Sequence, residues 1–145
     1  MQPIPKVALA FFTVAPIYVL IGMGFGIYMG AAMDFTLAPA HAHLNLIGWV
    51  TMAIYGTFYA FAKDASQLLA RLTFWLNNVA TCLMFPSLAM ALKYGEQSSF
   101  ILPLIISEFL ALGAMLCFAV SVWHVLLKSG SESLSAGVRA RVPAE

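Results

Sequence analysis

The residues best suited to chemistry in this chain are two imidazoles one residue apart, His41 and His43, in the stretch PAHAHLNLIGW at 39–49. Imidazole in an apolar setting carries a proton, binds a transition metal or ligates haem iron. On an α-helix, positions i and i+2 lie about 200° apart, so the two rings face opposite ways and cannot clasp one metal ion. Chelation from one helix uses i and i+4, and from one strand i and i+2. If both histidines are metal ligands, each serves a different site or completes one with another helix. The plainer reading of either ring is an amphipathic side chain with a wet tip at a membrane interface.

The surroundings favour a cofactor. Leu44, Leu46, Ile47 and Val50 are apolar, and the small Gly48 and Gly56 let bulky groups pack close. Iron in haem takes axial imidazole, and apolar walls suit the macrocycle. Asn45 adds a polar group two residues after His43. Earlier in the chain Gly22, Gly26 and Gly30 recur every four residues with Gly24 between them, leaving one helix face almost bare. That face fits ordinary helix contact, a flat cofactor or a neighbouring subunit. Glu108 lies in the fourth apolar stretch, roughly 12 Å from its start at the helical rise. An ionisable group at that depth is a functional candidate, for tuning a cofactor, handling a proton or making a structural hydrogen bond to Asn45, Ser87 or a histidine. The cofactor-binding set is therefore His41, His43, Gly22, Gly26, Asn45 and Glu108, with His41 and His43 as metal ligands and no catalytic residue assigned. Asn77 and Asn78 read as amides that join helices, Pro86 as a kink, and His124 as a wet interfacial ring.

These residues need elements to hold them. Of 145 residues 62% are hydrophobic and 9% charged, more apolar surface than a water-soluble domain of this size can hide. Four stretches, about 7–29, 41–61, 72–92 and 100–127, exceed the length that crosses a hydrocarbon layer. Each should be a helix, since lipid offers no partner to a backbone N–H or C=O. The expected fold is all-α, an up-down four-helix membrane bundle over residues 1–128 as one domain, with a polar, disordered tail at 129–145. The first stretch is too long for a secretory signal and reads as retained. Lys6, Lys63, Arg71, Lys128, Arg139 and Arg141 fall on one side of such a bundle and Lys93 on the other, so both termini are expected in the cytoplasm of a bacterial inner membrane. Cys82 and Cys117 are expected as buried filler, Trp75, Tyr94 and Trp123 as interfacial anchors. Nothing in the charge pattern points to nucleic acid.

The stretch HAHLNLIGWVTMAIYGTFY resembles the ligand-bearing helix of the haem-copper oxidase and nitric oxide reductase catalytic subunit family. In that family a histidine followed by x-x-Leu opens the second helix and binds the low-spin haem, and His41 with Leu44 matches. A later His-x-His of the family, with one ring on each of two haems, is matched by His41 and His43. The resemblance covers the second span; the family's further copper-binding histidines have no counterpart here, His124 being the one other histidine. Because the family's subunit is built of three four-helix arcs, the resemblance implies a homotrimer, with His41 of one chain and His43 of the next on each haem. The function so implied is non-covalent haem b binding, for electron transfer, haem handling or redox and gas sensing, with an unknown redox partner. Copper or another transition metal in a carrier or assembly factor is an alternative, although the eight methionines form no Met-x-x-Met cluster. A small oxygen or nitric oxide reductase is the third. With no Cys-x-x-Cys-His, a covalent haem is excluded on motif grounds.

Overall fold

A backbone group without a partner in hydrocarbon costs several kcal/mol, so apolar runs of this length close their own hydrogen bonds. The computed structural model describes residues 4–62, 64–95 and 99–139, with side chains as far as residue 131. The chain is all-α, and its four long apolar helices make a four-span membrane bundle. α1 is Lys6–Ala32; the second span is built of α2 (Ala38–His43), a π-helical turn region Leu44–Thr51 and α3 (Met52–Phe61); α4 is Gln67–Tyr94 and α5 Ile101–Arg139. The first two helical spans are a few residues longer than the hydropathy reading placed them, α4 seven and α5 eleven, because helices continue into the interface.

The ends follow local chemistry. Ser66 accepts the Leu69 N–H at the start of α4. α4 runs through Pro86 as one helix and stops at Gly95, whose φ of 81° leaves the helical region. α5 does not stop near Leu127 but stays helical to Arg139, so the expected tail begins inside a helix, and its last residues, 140–145, lie outside those described. Lys6, Arg71 and Lys128 share one end of the bundle and Lys93 sits at the other; Lys63 and Arg141 lie outside the described residues.

α1 and the second span approach through reciprocal notches. A Cβ on Gly48 would stand 2.8 Å from Cγ of Tyr18, and one on Gly56 2.9 Å from Cβ of Phe11. In the other direction, Gly22 and Gly26 of α1 receive Asn45 and His41. Toward the Lys6 end, Phe11 stacks on Tyr59 and meets Tyr55 and Phe74 edge-on. Tyr59 then shares a hydrogen bond with Thr73 at 3.1 Å and donates to Ser121 at 3.0 Å, tying the second span to α4 and α5. Asn77 donates to the Ile47 carbonyl, and Asn78 accepts from Tyr18, so both amides do join helices. Cys82 is exposed beside the Tyr18 hydroxyl rather than buried filler.

α5 packs along α4 through Ser107, Ala114 and Ser121, all fully buried and seven residues apart. Two turns of helix separate each from the next, which keeps one narrow small-residue stripe on α4. The rest of α5 is open: 11% of its apolar window is buried, against 33% in each other span. Gly48→Ala and Gly56→Ala should each cost about 1–3 kcal/mol, because the neighbours are the Cβ and Cγ atoms at the base of Tyr18 and Phe11, which cannot swing aside. Gly24→Ala, with nothing within 4 Å of the new atom, should cost nothing from packing. Unfolding equilibria in mixed micelles check the contrast.

Candidate functional site

The connection at residues 33–37 delivers the chain into the histidine segment. Asp34 accepts from the Thr36 backbone N–H at 2.9 Å and from its hydroxyl at 2.7 Å, a local turn of the kind aspartate favours. Those two bonds, the hydroxyl's first, hold the Asp34 carboxyl below the ordinary carboxylate range, and the Lys93 charge adds to them. Pro39 then fits the first turn of α2, where its missing N–H costs no hydrogen bond.

From there the buried stripe runs Ala40, Leu44, Gly48, Met52, a strict spacing of four. On a regular α-helix that spacing drifts by about 40° per step. The π-helical region widens the turn and keeps the stripe against α1 and α4.

His41 and His43 are split as their spacing requires. His41 is half-buried and faces α1, where a Cβ on Gly26 would stand 3.2 Å from its Cε1. Asn45, one turn on, brings its amide nitrogen to 3.1 Å from Nε2 and 3.4 Å from Nδ1 of that ring. The Asn45 Oδ1 is buried with no partner among the described residues and lies where a Cβ on Gly22 would collide with it. A buried acceptor left unpaired costs about 1–3 kcal/mol. A half-turn of the amide would set this oxygen against the His41 ring instead.

His43 is exposed, and its Nδ1 lies 2.8 Å from the Pro39 carbonyl. A carbonyl only accepts, so Nδ1 carries the proton. In the neutral ring Nε2 therefore has its lone pair free and turned away from the chain's own core.

Glu108 is exposed and makes no hydrogen bond among the described residues; Asn45 is engaged with His41, and Ser87 is buried within α4's packing face. Met115, two turns along α5, accepts from the Tyr55 hydroxyl at 3.7 Å. Glu108 lies on the same side of α5 two turns nearer its start, where that side is exposed. Deeper on that side, a groove of about 540 Å³ runs between Trp49, Val50, Ile54, Thr57 and Phe118, in the size range of small-molecule sites. Gly30 and Gly24 face open space, and His124 is exposed at the other end.

The structure therefore gathers His41, Asn45, Gly22 and Gly26 into one contact and leaves His43 and Glu108 outside it. The Pro39 carbonyl was missed in the sequence; a proline at the first turn four residues before a histidine is the signal that could have shown it. Comparisons with protein families, curated proteins and solved structures gave no match to this chain.

Gly22→Ala should destabilise the protein by about 1–3 kcal/mol, and much of that cost should vanish in an Asn45→Ala background. Additive costs in the four-variant cycle would mean that the two residues do not touch. For Asp34 the sign is that of a depressed carboxyl: its stabilisation is present above the unfolded value and fades as pH falls through the lower folded one. Thr36→Val should raise the Asp34 titration midpoint, read by NMR.

Proposed function

We propose that this chain binds non-covalent haem b within the membrane, where His41 and His43 of neighbouring copies would hold it, for electron transfer, haem handling or redox and gas sensing. The observation that carries the reading is His43: its Nδ1–H is held by the Pro39 carbonyl, which fixes the tautomer and orients Nε2 outward. Metal-ligating histidines are held in this way by a carbonyl or carboxylate on the other ring nitrogen.

The donor set fits the group unevenly. His43 fits as it stands. His41 faces Gly26 with the Asn45 amide on its nitrogens, so it becomes a ligand only when its ring turns out of the notch in α1. Bound haem would supply one-electron iron chemistry. The protein's part is to present Nε2 of His43, to hold or release His41 through Asn45, and to keep water out with the apolar walls of the second span and α5.

The same reading places both termini in the cytoplasm of a bacterial inner membrane, supported by Lys6, Arg71 and Lys128 lying opposite Lys93. It makes the assembly a trimer, in which every chain gives His41 to one neighbour and His43 to the other and no ligand is left over.

Protein purified from haem-sufficient cells should show the spectrum of a six-coordinate low-spin haem b, absent from His43→Ala. Mixing His41→Ala with His43→Ala chains should restore part of it, because some boundaries in mixed rings keep one histidine of each kind. Colourless protein that holds copper by elemental analysis would replace this reading with the transition-metal one.

A further inference from the structure

Two groups stand out of place if the single chain is all that the lipid meets. Glu108 is exposed, lies about 10 Å along α5 from its start at Ile101, and has no hydrogen-bond partner among the described residues. His43 is exposed about 8 Å along the second span from Ala38, with only its Nδ1 engaged. Both starts are at the same end of the bundle, and each group lies within about two turns of its start. An ionisable side chain facing hydrocarbon is expensive, and in membrane proteins such groups point into protein or pair with one another.

The third observation is the surface between them. α5 buries a third as much of its apolar window as the other spans, and its open flank carries Glu108 beside Ile105 and Leu112. That flank is apolar but for one carboxyl. What covers it must be apolar too, with one hydrogen-bonding group at the depth of Glu108, and the second span of another copy carries such a group in His43.

We propose that α5 of one copy packs on the second span of the next, with the Glu108 carboxyl on Nε2 of that copy's His43. With Nδ1 donating to Pro39, one proton between the carboxyl and Nε2 satisfies both groups. The contact joins two different patches of the chain, so it closes head-to-tail, one pair at each boundary of the proposed trimer. It rests on the assembly part of the reading above and not on haem. Iron ligation by His43 uses the same nitrogen, so the pair belongs to the haem-free protein and haem loading breaks it.

The test uses full-length protein from haem-deficient cells. Glu108→Leu and His43→Leu should each weaken self-association in mild detergent about tenfold, and the double variant no further, because either loss removes the whole pair. Were Glu108 simply facing lipid, Glu108→Leu would leave association unchanged and raise stability; that result overturns the pair. Independently, in a Cys82→Ala, Cys117→Ala background, differently tagged His43→Cys and Glu108→Cys chains should be bridged by a short bifunctional thiol reagent when mixed. Bridging between like chains, or none while the protein remains folded, overturns it too. Absence of haem from the native protein would sink the functional reading and leave both measurements untouched.

Discussion

The close approach of α1 and the second span is the constraint on which the rest depends. Lipid gives no hydrophobic drive to press two apolar helices together, so they associate where backbones come near enough for dispersion and hydrogen bonds to count. Here the nearness is mutual: Gly48 and Gly56 admit Tyr18 and Phe11, while Gly22 and Gly26 admit Asn45 and His41. A larger residue at Gly22, Gly48 or Gly56 would collide with the side chain its notch admits, and one at Gly26 would press on the His41 ring. The position of His41 follows from this packing, because the notch that receives it exists only while the two helices touch.

The two halves are built differently. Toward the Lys6 end, Phe11, Tyr55, Tyr59, Phe74 and Phe118 interlock through edge-on, stacked and tilted ring contacts, and the Tyr59 hydroxyl is satisfied by Thr73 and Ser121. Interhelical hydrogen bonds of this kind average about 0.6 kcal/mol in membranes, but three spans meet at one hydroxyl, which fixes their rotation about their own axes. Toward the 33–37 end the polar groups are less settled. Asn45 Oδ1 has no partner, His43 is held on one nitrogen, and Glu108 stands alone among the described residues. Rigid packing in one half leaves the other free to answer to something outside the single chain.

Much of this was legible in the sequence, and the reasons are specific. The four spans follow from composition alone, since no other arrangement hides so much apolar surface. The opposite facing of His41 and His43 follows from a 100° step, and the helix-joining role of Asn77 and Asn78 from the cost of a bare amide in lipid. What failed depends on rotation. Of the roles read for Glu108, the hydrogen bond to Asn45, Ser87 or a histidine is not made among the described residues, because depth does not fix azimuth and the Ser107–Ala114–Ser121 stripe turns it outward. Cys82 fails the same way, one position past the buried Thr81.

The π-helical region shows how a small departure from regular geometry sets the site. Its signal was present as Ala40, Leu44, Gly48 and Met52, small or apolar residues at intervals of four that a regular α-helix would carry about 120° around its axis over three steps. Widening the turn cancels that drift, so a single face stays on α1 and α4 along the whole upper span. The 100° step within α2 turns His41 toward α1 and His43 outward, and the irregular turns that follow keep the rest of the span on α1 and α4.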